Sequence, residues 1–328
     1  MSKSYFKKLK QNRFANTSLC GLCAFAGKTC IKNFAFVCLL FSVFLSANCK
    51  TENAELQNNK LTREIADDSN RRVRLSEKIE RAVSLAPNLT EIAFAVDAGD
   101  KLVGVTSYCN YPAEAAKIQK IGDTLNPNIE NIIALRPQVV LVSTASQMET
   151  FSKTLEQQGI TIFVTNPNRL EDIYKSIYQI GEIFGRNDKA REVVDGLKMR
   201  VAKIEAKTNN TKDVKVFVQI DKNSLYTIGK DSFITDLITR AGGVSLTANV
   251  STAYPNISRE TAFALNPDAI ILTDSPDNNE PNEVFRNSPA VKNGKVFKIN
   301  ADILSRPAPR IVDALEQIAQ ALHPENFN

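Results

Sequence analysis

The chain has no tryptophan and a single histidine in 328 residues. That histidine, His323, lies near the C-terminus in Ala-Leu-His-Pro, where a surface position is expected. Ser-His-Asp and Cys-His catalysis therefore lack a base to activate the nucleophile. Five of the six cysteines fall at or before position 49, and only Cys109 lies beyond. A lone cysteine cannot close an internal disulfide, so the folded body needs no oxidative staple. Tight zinc or manganese sites usually draw on histidine or several cysteines, and the body has few of either. Cys20-x-x-Cys23 has metal or redox spacing but sits in a basic leader without partner ligands. Also missing are a G-x-S-x-G elbow, a Walker loop and a G-x-G-x-x-G fingerprint. The carboxylates are scattered, and no acid–base pair stands out. Nothing nominates an enzyme, a cofactor or a metal.

Charge is also scarcer than it first looks. Residues 1–48 hold seven basic residues and no acid; removing them from the formal +5 leaves −2 for the remainder. Such a body carries no electrostatic footprint for nucleic acid. The only long apolar run is Phe34–Ala47, too short for the roughly 20 residues that span a bilayer. It follows a basic segment and ends in small residues before Cys49, the layout of an export signal. Leu45-Ser46-Ala47-Asn48-Cys49 resembles a bacterial lipoprotein box, which implies lipidation at Cys49 of a leader spanning 1–49. Asn48 stands where glycine or alanine is usual, and an uncleaved N-terminal anchor is the other reading. Residues 50–80 are polar and charged without a strand signal, and read as a flexible tether.

What the chain does have is one pattern written twice. Glu130–Ser143 reads E-N-I-I-A-L-R-P-Q-V-V-L-V-S, and Glu260–Thr273 reads E-T-A-F-A-L-N-P-D-A-I-I-L-T. Each predicts a short helix, broken at Pro137 or Pro267, then an apolar strand. Proline lacks an amide hydrogen and disfavours helix in the residue before it. The apolar runs that follow suit strands buried on both faces. Elsewhere Arg81–Leu85, Val103–Thr106 and Thr161–Val164 read as strands between helical segments, which argues a parallel sheet with helices outside it. Asn187–Lys207 carries Ala190, Val193, Val194, Leu197, Val201 and Ile204 on one helical stripe, a connector roughly 30 Å long. Lys215–Ile220 opens a second half as a strand and Leu225–Gly229 follows it. A helix at Phe233–Ala241 stops at Gly242-Gly243, Lys295–Ile299 is a further strand and Pro309–Leu322 the last helix. The expected fold is α/β: two Rossmann-like lobes, mainly parallel, joined by one long helix. The lobes take 81–186 and 211–328 and the linker 187–210, with a ligand cleft between the lobes.

From Arg81 onward the sequence resembles the helical-backbone substrate-binding proteins of bacterial ABC importers, and among them the cobalamin binders. The resemblance rests on Val83-Ser-Leu-Ala-Pro-Asn-Leu-Thr-Glu91, Gly104-Val-Thr-Ser-Tyr-Cys-Asn-Tyr-Pro112 and Asn128-Ile-Glu-Asn-Ile-Ile-Ala-Leu-Arg-Pro137. In the second half it rests on Tyr226-Thr-Ile-Gly-Lys230, Ser258-Arg-Glu260 and Arg306-Pro-Ala-Pro-Arg310. It implies a corrinoid, cobalamin above all, held between the lobes and delivered to an inner-membrane permease dimer. By the same resemblance Tyr108, Tyr226 and Tyr254 are aromatic ligand contacts, and Asp302 and Arg306 form the polar loop closing over the ligand. Tyr254 stands where the family carries tryptophan and Tyr226 where it carries phenylalanine. Thr124, Ser143 and Ile303 occupy further tryptophan positions, so the cleft is expected to be less aromatic, and a haem or ferric siderophore stays open as the alternative ligand.

Asn128 and Ser258 read as helix N-caps, with Glu130 and Glu260 in the first turns. Either glutamate could simply stabilise its helix dipole, an effect of about 0.3–1 kcal/mol. The resemblance implies more: a pair of permease-docking acids, one per lobe. The implied protein is a non-enzymatic monomer on the periplasmic side of a bacterial membrane, anchored through Cys49 or soluble there. An α/β enzyme on the same two-lobed plan remains the third reading, and turnover of a bound ligand would reveal it.

Overall fold

A computed structural model describes residues 62–144, 148–209 and 211–327. The leader, the run Phe34–Ala47, Cys49 and the first part of the expected tether lie outside the described residues. Among the described residues, no helix is long and apolar enough to cross a membrane.

The tether expectation fails over its second part. Thr62–Ala66 (β1) and Arg72–Ser76 (β2) pair antiparallel, with Thr62 opposite Ser76. Ile65, Val73 and Leu75 are buried and alternate with exposed charged residues, so the ribbon has one apolar face. Asp67 closes the turn by accepting from the backbone amides of Ser69 and Arg71, at 3.0 and 2.9 Å. The hairpin is sewn to the first lobe, where Asp68 N–H donates to the Val164 carbonyl at 3.0 Å and Lys175 pairs with the Asp68 carboxylate at 2.7 Å.

The first lobe runs Ala82–Ser84 (β3), Pro87–Ala95 (α1), Leu102–Val105 (β4), Ile129–Ala134 (α2), Val139–Ser143 (β5), Met148–Gln157 (α3), Thr161–Thr165 (β6) and Leu170–Ile183 (α4). Its sheet is all parallel, in the order β4-β3-β5-β6. Asn187–Thr208 (α5) connects the lobes, 22 residues and about 33 Å at 1.5 Å each. The second lobe runs Val214–Gln219 (β7), Phe233–Arg240 (α6), Gly243–Ser245 (β8), Arg259–Leu265 (α7), Ala269–Asp274 (β9), Pro289–Lys292 (α8), Val296–Asn300 (β10), Ala301–Leu304 (α9) and Ile311–Leu322 (α10). Its sheet is also parallel, ordered β10-β9-β7-β8. Leu225–Gly229 forms no strand; Tyr226 makes a single antiparallel bridge to Asn256.

The written-twice pattern folds twice in the same way. The strands β5 and β9 sit at matching central positions of the two sheets, and each is buried along nearly its whole length. The break before them repeats too. Arg136 and Asn266, the residues before the two prolines, take positive φ values of 46° and 44°. A left-handed residue ends the helix and lets proline begin the extended segment.

On α5, Ala190, Val194, Leu197, Val201 and Ile204 are buried on the predicted stripe. Each Val, Leu or Ile so buried stabilises by about 1.5–3 kcal/mol relative to exposure. The stripe belongs to one apolar cluster that contains Leu89 and Ile177 of the first lobe and Leu237 and Leu315 of the second. His323 departs from expectation. It is only 3% exposed, because α10 packs its C-terminal end into the second lobe. Its Nε2 lies 3.1 Å from the Gly242 carbonyl and 3.2 Å from the Thr211 hydroxyl.

Candidate functional site

Parallel strands all point their C-terminal ends one way, and loops leaving those ends build binding crevices. In the first lobe these loops carry Pro87 after β3, Thr144 after β5 and Asn166 after β6. Together with Phe233, Tyr254 and Arg306 of the second lobe they enclose a cavity of about 460 Å³. Small-molecule sites typically measure about 300–1,000 Å³. Thr124 and Ser143, which the resemblance sets at tryptophan positions, line it as well. Ile303 instead packs against the apolar core.

Of the five expected ligand residues, two line this cavity: Tyr254 and Arg306. Tyr254 as a residue is 44% exposed, while burial pushes its hydroxyl above the ordinary tyrosine value and a hydrogen bond with Ser232 pulls the other way. An aromatic side chain on the cavity wall is suited to stacking. Tyr254→Ala is expected to weaken ligand binding about thirtyfold, the effect of losing an aromatic anchor. Calorimetry checks this, and an unchanged melting temperature separates lost contact from lost fold.

Tyr108, Tyr226 and Asp302 do not line the cavity. Tyr108 is 61% exposed and meets the site through its backbone carbonyl, which accepts from Arg306 Nη2 at 3.3 Å. Tyr226 is 44% exposed beside the Asn256 bridge. Asp302 stands behind Arg306, accepting from its Nη2 at 2.6 Å and from Asn110 Nδ2 at 2.9 Å. Arg306 also donates through Nη1 to Asn110 Oδ1 at 2.7 Å and to Glu91 Oε1 at 3.2 Å. Both terminal nitrogens of the guanidinium are therefore engaged.

Sequence reasoning assigned no role to Glu91, Asn110 or Arg310, although all three stand in the quoted motifs. Glu91 sits on α1 with only 3% exposure. Besides Arg306 it accepts from Arg310 Nε at 2.9 Å and Nη2 at 2.5 Å. That bond is the chief cause holding the Arg310 guanidinium above its ordinary value. The same guanidinium lies 3.7 Å from the centre of the Tyr111 ring. Glu91, Asn110 and Tyr111 belong to the first lobe, Asp302, Arg306 and Arg310 to the second, so the cluster bridges the two beside the cleft. The signal was charge order: an acid ending one motif and two arginines bounding another. A fourth missed residue is Asn88. It lines the cavity with 6% exposure, and its amide nitrogen is buried without a hydrogen-bond partner. It is a donor suited to a carbonyl or similar acceptor.

Residues 83–303, more than half of the chain, match the periplasmic binding protein family. The chain belongs to that family. A Bacillus subtilis protein described as an uncharacterised ABC transporter substrate-binding lipoprotein, YvrC, is 32% identical over 80% of this chain and 86% of its own length. A vitamin B12-binding protein of Vibrio parahaemolyticus is 28% identical over 75% of this chain and 90% of its length. Among solved structures, the periplasmic vitamin B12 binding protein BtuF of Vibrio cholerae is 26% identical with a TM-score of 0.66, covering 76% of this chain and 99% of that one. The two-lobed α/β plan and the connecting helix are thus those of a substrate-binding protein. A periplasmic haem-binding protein of Roseiflexus, at 22% identity and TM-score 0.67, shares the fold.

Proposed function

We propose that this protein is the extracytoplasmic receptor of an ABC importer, and that it captures a corrinoid, cobalamin or a near relative, in the cleft between its lobes. In this reading Tyr254 supplies the aromatic platform and Asn88 a donor, while Tyr108 and Tyr226 stand at the rim. Arg306 closes over the ligand edge, with Asp302 holding it from behind. Cys49 carries the lipid anchor, Glu130 and Glu260 face the permease, and the receptor works as a monomer without catalysing a reaction.

One observation carries the choice of ligand. The cleft arginine is already neutralised: Arg306 and Arg310 add two positive charges, and Glu91 and Asp302 remove them. A guanidinium with both terminal nitrogens occupied cannot offer its fork to a carboxylate. Around it stand Pro87, Pro307, Phe233 and Tyr254, largely apolar surfaces. Such a lining suits a macrocycle rimmed by neutral amides better than the carboxylates of haem or an anionic siderophore. The similarity to vitamin B12-binding proteins supports the same choice.

Titration of residues 62–328 with cyanocobalamin is expected to release or absorb heat with one-site saturation. At a free ligand concentration one hundred times Kd, the protein gains about 2.7 kcal/mol of stability, visible as a raised melting temperature. Neither heat nor thermal shift with cyanocobalamin, together with a Soret shift on adding haemin, would replace the corrinoid by haem.

A further inference from the structure

Glu91 does not line the cavity, yet it is the most buried charge beside the cleft. Removing a carboxylate from water is costly, and only close positive partners offset that cost. Here the partners are two arginines from the opposite lobe, at 2.5 to 3.2 Å. Glu91 therefore does two things at once. It ties α1 of the first lobe to the segment between α9 and α10 of the second, and it occupies one terminal nitrogen of the arginine that lines the cavity.

We infer that Glu91 is the residue that sets ligand selectivity, by keeping the Arg306 guanidinium occupied and electrically balanced at the cavity wall. The inference rests on the corrinoid reading for the identity of the preferred guest. Without the Glu91 carboxylate, Asp302 alone faces Arg306 and Arg310, and the cluster carries one uncompensated positive charge. An amide at position 91 can still accept from Nη1, so what changes is the charge: a carboxylate in the cleft now meets an uncompensated guanidinium at Arg306. A site tuned for a neutral, amide-rimmed macrocycle becomes one that prefers a carboxylate-bearing macrocycle. Glu91 is a positioning residue in this scheme, acting through Arg306.

The experiment compares the wild type, Glu91→Gln, and the doubly substituted Glu91→Gln with Arg310→Gln. The second change removes a positive charge and restores the balance. Each protein is titrated with cyanocobalamin and with haemin at low and high salt, and its melting temperature is recorded. In Glu91→Gln, cyanocobalamin is expected to weaken about tenfold and haemin to tighten about tenfold, the haemin gain fading as salt screens the new charge. In the double variant the ratio of the two affinities returns toward the wild type. A purely structural role predicts loss of both ligands in parallel with melting temperature. That outcome, an unchanged ratio, or no return in the double variant overturns the inference. If Glu91→Gln does not fold, the double variant and Arg310→Gln alone carry the test, since Arg310→Gln removes a positive charge and is expected to weaken haemin further. Failure of the wild type to bind cyanocobalamin would sink the corrinoid reading separately, and the haemin arm would still judge Glu91.

Discussion

Changing Glu130 and Glu260 together to alanine is expected to abolish cellular uptake of the ligand while leaving its affinity for the purified protein unchanged. Neither side chain lines the cavity; both are exposed, in the first turns of α2 and α7. These helices occupy equivalent places in the two lobes, each leading into the matching central strand. The Asn128 and Ser258 side chains cap them, accepting from the amides of Asn131 and Thr261 at 2.9 and 3.1 Å. The Glu260 carboxyl is held below the usual carboxylate range, chiefly by its own backbone amide and then by Ser258. Helix-end stabilisation amounts to about 0.3–1 kcal/mol per residue, so the doubly changed protein stays folded. An interfacial charge left without its partner costs about 2–5 kcal/mol, so losing both acids removes the complex. Phe263, one turn beyond Glu260 and 65% exposed, presents an apolar ring on the same face. Transport assays in cells read the first half and calorimetry the second. Normal uptake would refute docking through these acids; a large loss of affinity would assign them to the cleft instead.

The second large effect comes from a backbone contact. Gly229 lies against the loop that ends in Tyr254: its amide donates to the Ala253 carbonyl at 2.9 Å, and the next amide, of Lys230, to Val250 at 2.8 Å. A methyl group on Gly229 would meet the Thr252 carbonyl oxygen at 1.8 Å and that of Val250 at 2.8 Å. Both obstacles are main-chain atoms, so no side chain can swing aside. Gly229→Ala must push out the loop that supplies Ala253 and Tyr254 to the cleft wall. It is expected to cost about 1–3 kcal/mol of stability, as overpacking does. It is also expected to reduce affinity at least as far as Tyr254→Ala does. The pair of variants is informative together, because Tyr254→Ala loses affinity alone and Gly229→Ala loses both. Native affinity in Gly229→Ala would mean that Tyr254 does not belong to the binding wall.

The architecture was legible because its signals are local. Helix, proline and apolar strand follow one another within fourteen residues, twice, and the stripe on α5 needs only a helical period. The hairpin at 62–76 escaped for a physical reason. Each of its strands buries only one or two side chains, and the arginines and glutamates between them make the segment look like a solvated tether. His323 escaped because position near a chain end says nothing of where the last helix packs. In the site, residue types were readable but directions were not. The sequence can show that Tyr108 stands in a loop after β4; it cannot show that its carbonyl, and not its ring, meets Arg306. Ion pairs between lobes are hidden for the same reason, since Glu91 and Arg310 are separated by more than two hundred residues and meet only in three dimensions.

The apolar cluster shared by both lobes has a thermodynamic corollary. Melting either half would strip buried surface from the other, since Leu89 and Leu315 sit in a single hydrophobic body with the stripe of α5 between them. Unfolding of the two halves is therefore expected to be coupled, and a single calorimetric peak would show it.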